Sequence, residues 1–188
     1  KDIIVTVTAS DVSHLRSAKL TISAPDADTV YVFIKQDAMP ASLYPDYSQP
    51  IAPDASGMSR TATQIAREMY MGWNLGNTLE VPGNETGWGN PKATQLLIDS
   101  VKAAGFNTVR LPCAWDSYLE NRTTAKINAS WLARVKEVVD YCVKNNMYVI
   151  LNIHWDGGWL ENNVTIAKQA ENNAKQKAIW QQIAMHLR

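Results

Sequence analysis

The sequence predicts an α/β chain: the first three βα units of a (β/α)8 TIM barrel, preceded by part of an all-β, Ig-like sandwich. Three observations predict it. Residues 1–36 are β-branched and aromatic with period-two alternation. From Gly72 onward, strand-like and helix-like segments take turns three times. A different polar side chain stands at or near each of those three strand ends, namely Asn77, Arg110 and His154.

The elements follow in order. Ile3–Thr8, Ala18–Ser23 and Thr29–Gln36 read as strands, with turns over Ser10–Ser17 and Pro25–Asp28. Three strands make a poor independent sheet, so residues 1–38 read as the C-terminal strands of a sandwich module. Residues 39–57 hold Pro40, Pro45, Pro50 and Pro53 without periodicity, which suits a semi-rigid linker laid along a surface. Residues 58–188 form the barrel portion. It opens with a short helix over Ser59–Tyr70, where Ile65 and Met69 share a face.

Gly72–Asn77 is the first barrel strand. Asn90 offers an N-cap and Pro91 the first helical position for a helix whose face is Ala93, Leu97, Val101 and Ala104, closed by Gly105. Phe106–Pro112 is the second strand. The next helix carries Leu132, Val135, Val139 and Cys142 and stops at Asn145-Asn146. Met147–Ile153 is nearly continuous in apolar residues, as a buried parallel strand is. The last helix presents Ile179, Ile183 and Leu187. No glycine-rich phosphate loop follows the first strand, which favours the barrel over a dinucleotide-binding sheet.

Composition excludes several function classes. The chain has 188 residues, 46% hydrophobic, with 18 basic and 18 acidic side chains scattered along it. No basic stripe supports nucleic acid or an anionic membrane surface as a partner. The longest apolar stretch, Met147–Ile153, is too short to span a bilayer. Cys113 and Cys142 read as buried free thiols, not a disulfide framework. The N-terminus lacks a signal-peptide layout, so any targeting segment is removed or lies upstream. Asn84, Asn121, Asn128 and Asn163 open glycosylation-type triplets that decide nothing alone.

The chemistry-bearing residues sit beside the strand ends. Of seven tryptophans, Trp73, Trp88, Trp115, Trp155 and Trp159 fall in or beside those loops, where an indole face suits the C–H surface of a sugar. Arg110 is a charge inside an otherwise apolar strand. It needs acceptors, and orienting a catalytic carboxylate competes with a structural ion pair as its role. His154 lies between an apolar strand and Trp155-Asp156-Gly157-Gly158-Trp159, whose glycine pair permits a tight turn over a cleft. His14 and His186 lack ligand spacing to it, so no zinc site is expected.

Four segments carry a family resemblance: Met71–Glu80, Asn84–Pro91, Thr108–Pro112 and Val149–Trp159. In order and spacing they resemble the opening of a glycoside hydrolase family 5 endo-β-1,4-glucanase (a cellulase). Residues 1–38 resemble, more weakly, the last strands of a BACON-type β-sandwich module, with a spacer role. The first resemblance implies a retaining, endo-acting hydrolase of β-1,4-glucan: cellulose, mixed-linkage glucan or xyloglucan. It implies no cofactor and no metal. Arg110 matches the arginine beside the nucleophile, and His154 the histidine near the cleaved sugar. Asn77, Trp88, His154, Trp155 and Trp159 would bind substrate, although Trp155 departs from the histidine often found at its position.

A retaining glycosidase needs two carboxyl groups about 5–5.5 Å apart. In the family both are glutamates, on the fourth and seventh strands. Asp116, Asp156, Glu80, Glu85 and Glu161 match neither motif, so no catalytic residue is expected in this chain. The expectation is a fragment that positions substrate and is inactive alone. The remaining barrel units would come from the same protein, another chain or a second copy. The resemblance also implies a secreted, cell-surface or periplasmic location. The alternatives are a non-catalytic carbohydrate-binding or half-barrel fragment, and a mannan- or xylan-cleaving relative.

Overall fold

The computed structural model describes residues 16–36, 43–49 and 59–188, which fall in two compact units divided between residues 42 and 43. In the first unit, β1 (Arg16–Ile22) and β2 (Val30–Gln36) form an antiparallel hairpin, registered from Ile22↔Val30 to Arg16↔Gln36. The alternation puts Tyr31 and Phe33 on one face, and the Lys19 ammonium lies 3.6 Å from the Tyr31 ring centroid. The predicted strand Ile3–Thr8 lies outside the described residues.

The second unit is built on a parallel sheet in the order β3 (Gly72–Asn74), β4 (Thr108–Cys113) and β7 (Tyr148–Ile153). The register sets Asn74 beside Arg110, and Arg110 beside Ile150. On the outward face, Val109, Leu111 and Cys113 are fully buried, and Val149, Leu151 and Ile153 pack against the same core. Helix α2 (Gln95–Ala103) covers this face with Ile98 and Val101. Helix α3 (Ala129–Lys144) adds Trp131, Val135, Val138 and Cys142. Helix α4 (Gln169–His186) adds Ala178, Ile179 and Ile183. On the inward face, Arg110 is half-buried and Ile150 is 44% exposed. Cys113 and Cys142 are free and buried.

Several local expectations shift. Helix α1 (Ala62–Glu68) is shorter than Ser59–Tyr70 because a capping box fixes its start. The Thr61 hydroxyl accepts from the Gln64 N–H, and the Gln64 side chain accepts from the Thr61 N–H. Helix α2 starts at Thr94, not Asn90. Thr94 is extended (φ −124°, ψ 161°), and its side chain accepts from the Leu97 N–H. Asn90 donates instead to the Gly76 carbonyl (3.0 Å), and the Glu85 carboxylate takes the Ala93 N–H (3.3 Å). The buried face of α2 therefore rotates onto Ile98, leaving Leu97 and Ala104 exposed.

Between β4 and α3 the structure inserts an antiparallel pair absent from the sequence reading, β5 (Leu119–Asn121) and β6 (Lys126–Ile127). Tyr118 stacks on Trp131 at 3.6 Å, with rings 3° from parallel, and its hydroxyl donates to the Val81 carbonyl (2.7 Å). Within 43–49, the Tyr47 N–H donates to Gln181 Oε1 (3.0 Å) and its hydroxyl to the Thr124 carbonyl (3.0 Å), holding that segment along α4.

Candidate functional site

At the carboxyl ends of the parallel strands, three side chains from three strands meet. Strand register places Asn74 and Arg110 side by side, and the His154 N–H donates to the Cys113 carbonyl (3.0 Å), extending β7 past its last residue. The Arg110 guanidinium donates to Asn74 Oδ1 (2.7 Å) and approaches His154 Nδ1 at 3.2 Å. A guanidinium only donates, so Nδ1 must accept, and the imidazole proton sits on Nε2. Arg110 thus favours the His154 tautomer that leaves an N–H available outward. Among the described residues, Arg110 has no carboxylate partner.

Asn77 lies three residues beyond β3, with its backbone left-handed at φ 58° and its side chain exposed. The buried Glu80 carboxylate fixes this turn by accepting the N–H groups of Asn77 (2.5 Å) and Thr78 (2.9 Å). Asn74 is the residue the sequence reading missed. Its signal was the two-residue period, which puts it on the strand face away from Trp73, the face that register sets beside Arg110.

The five loop tryptophans separate. Trp115 is fully buried in the core, and Trp73 is half-buried against it. Trp88 and Trp155 remain 48% and 47% exposed and form a pair with ring centroids 5.9 Å apart and planes 43° apart. Trp159 is half-buried. Its indole donates to Asp156 Oδ2 (3.0 Å), and the Lys175 ammonium lies 4.1 Å above its ring. Trp155 and Trp159 both line a pocket of about 110 Å³, with Ile153, Asp156, Leu160 and Glu161.

Four carboxylates near this face, Glu80, Glu85, Asp116 and Asp156, are engaged by the framework, while Glu161 lines the small pocket. Both Glu85 oxygens accept from Arg134 (2.9 and 2.8 Å), which also donates to Glu137 (2.5 Å) and the Ala93 carbonyl (2.7 Å). Hydrogen bonding to Glu85 drives the Arg134 pKa up against its desolvation. Asp116 pairs with Arg122 (2.9 Å) and with Lys175. Burial raises the pKa of Asp156 even though backbone and Trp159 N–H groups pull it down. Among the described residues, no cluster of His, Cys, Asp or Glu could hold a metal ion, and no helix is long and apolar enough to cross a membrane.

Comparison with known proteins identifies what this arrangement is similar to. The family model for cellulase (glycosyl hydrolase family 5) matches residues 74–187. Endoglucanase B of Clostridium cellulovorans is 49% identical over 124 residues, covering 66% of this chain and 28% of that enzyme. A xyloglucan-specific endo-β-1,4-glucanase of Bacteroides ovatus is 39% identical over 196 residues, covering 98% of this chain and 38% of that enzyme. Among solved structures, the Bacteroides ovatus GH5 xyloglucanase in complex with a XXXG heptasaccharide superposes with a TM-score of 0.73 at 36% identity. That match covers 97% of this chain and 41% of the other. A GH5-4 broad-specificity endoglucanase from Clostridium acetobutylicum gives a TM-score of 0.63 at 46% identity, covering 66% and 37%. The chain spans 28–38% of the length of the two curated relatives.

Proposed function

The chain belongs to the cellulase family, glycosyl hydrolase family 5, and from that premise we propose that the intact protein is an endo-acting, retaining β-1,4-glucan hydrolase. The observation that carries this reading is Arg110. Its guanidinium is bonded to two neutral acceptors, Asn74 and His154, at the mouth of a parallel sheet. That leaves a fixed positive charge for a carboxylate, which it would keep ionised as a nucleophile. His154, held with its proton on Nε2, donates to a sugar hydroxyl. Trp88 and Trp155 offer apolar ring faces to the pyranose, while Asn77 and Trp159 flank them.

The two catalytic carboxylates come from parts of the protein beyond these residues. Supporting this, Glu80, Glu85, Asp116 and Asp156 are each committed to backbone N–H groups or ion pairs that hold loops in place. Xyloglucan joins unbranched glucan as a substrate, on the likeness to xyloglucan-specific relatives. Residues 1–38 act as the end of a BACON-type sandwich spacer, a reading supported by the β1–β2 hairpin. Because a polysaccharide does not cross membranes unaided, the intact enzyme works outside the cytoplasm.

The test is release of reducing ends from carboxymethylcellulose, xyloglucan, mannan and xylan by the intact protein and by this chain alone. Activity of the intact protein on the two glucans, with none from the chain alone, is expected. Activity confined to mannan or xylan would replace the substrate assignment. Binding without cleavage by the intact protein would make it a carbohydrate-binding module. Cleavage by the chain alone would place the catalytic pair within it.

A further inference from the structure

The turn that follows His154 holds four successive left-handed residues: Trp155 (φ 47°), Asp156 (φ 53°), Gly157 (φ 72°) and Gly158 (φ 75°). Glycine accepts that conformation freely, whereas Trp155 and Asp156 do so only when the surroundings over-determine them. We propose that Asp156 is a positioning residue whose buried carboxylate locks this turn and thereby sets the Trp155 ring against Trp88. The consequence for sugar binding rests on the reading above that these two rings contact the glucan.

Asp156 is 2% exposed, and its Oδ2 accepts from the Asp116 N–H (2.8 Å) and the Trp159 indole N–H (3.0 Å). Both donors are themselves anchored. Asp116 is pinned by Arg122 and Lys175, and Lys175 also caps the Trp159 ring. Within the turn, the Asp156 N–H donates to the His154 carbonyl (2.5 Å) and the Gly158 N–H to the Trp155 carbonyl (2.8 Å). Gly158 is favoured by its left-handed backbone, and a Cβ there would lie 2.6 Å from Asn162 Nδ2 and displace that amide. The carboxylate is therefore the one polar side chain within the turn that ties it to the β4 end and to the half-buried Trp159. Without it, Trp155 is free to leave Trp88 and fill the neighbouring pocket of about 110 Å³. Asp156 acts through Trp155, so it alters binding and leaves bond cleavage alone.

Two indoles 5.9 Å apart couple in circular dichroism, giving an exciton couplet that Trp88→Phe or Trp155→Phe removes. In the intact enzyme, Asp156→Ala should lose the same couplet and raise KM about tenfold, with kcat within about twofold of wild type. Asp156→Asn keeps one acceptor oxygen, which can serve both donors as Oδ2 does, and should recover most of the couplet. Should Asp156→Ala fail to fold, Gly158→Ala strains the turn with the carboxylate intact and should lose the couplet too. A folded Asp156→Ala that retains the couplet would overturn the positioning role. So would a large kcat loss in both the Ala and Asn variants, which marks a catalytic acid. If the couplet vanishes in Asp156→Ala while Trp155→Ala still binds cello-oligosaccharides normally, the positioning stands and the assignment of Trp155 to the glucan fails.

Discussion

Arg134 and Arg110 sit at opposite extremes of charge compensation. Arg134, on α3, is enclosed by both oxygens of Glu85, by Glu137 and by the Ala93 carbonyl. Every donor direction that matters is answered, and the result joins the loop after β3 to a helix. Arg110, on β4, meets only an amide and an imidazole and faces the open side of the sheet. A saturated guanidinium serves the framework, because its field is cancelled where it stands. An unsaturated one projects its charge into the space beyond, where a carboxylate or a ligand completes it. Burial alone would not separate the two, since both are half-buried; the chemistry of their partners does.

The contrast can be broken most forcefully at Glu85. Glu85→Ala leaves Arg134 without its bidentate partner and should cost about 3–5 kcal/mol of stability in denaturant unfolding; a loss near zero would mean that Arg134 is no framework residue. Arg110→Ala should do the reverse in the intact enzyme, lowering kcat about 100- to 1000-fold while the melting temperature stays within the range of a surface substitution. Arg110→Lys should rescue little, since a point charge cannot hold Asn74 and His154 in one fork. Trp88→Ala should weaken glucan binding by about 0.5–1.5 kcal/mol, read as a rise in KM with kcat preserved.

The smallest effect is a pH dependence. Burial raises the Asp156 pKa above its ordinary 3.8, so the folded chain holds a proton that the unfolded chain releases. Stability should therefore fall as pH rises from that ordinary value through the raised one, and Asp156→Asn should flatten this slope. Urea midpoints measured across the acid range, with wild type and variant side by side, check the sign.

The sheet was legible in the sequence because strands covered by helices leave continuous apolar runs, as in Val149–Leu151 and around Val109 and Leu111. Arg110 and His154 were legible because a charged or titratable group at the end of such a run has few other reasons to be there. The start of α2 was not. Asn90-Pro91 mimics a cap and first turn, and only the long-range claim of Glu85 on Ala93, with Asn90 turned to Gly76, moves the cap to Thr94. The β5–β6 pair is too short and polar to announce itself. Trp115 shows the limit of reading by position, since it follows a strand as Trp155 does yet is wholly enclosed. Which tryptophan faces outward is decided by backbone angles at single residues, and period-two or helical patterning does not encode those.

The Glu85–Arg134 join has a consequence for anyone who would exchange parts between relatives. The loop from residue 75 to 93 is closed internally by Glu80, and the counter-charge to its buried Glu85 is a side chain forty-one residues downstream of Ala93. A loop transplanted without that arginine would carry a buried acid with no counter-charge, and its outward indole would lose its bearing. The heritable unit thus includes a helical position as well as the loop, pieces contiguous in space and separate in the gene.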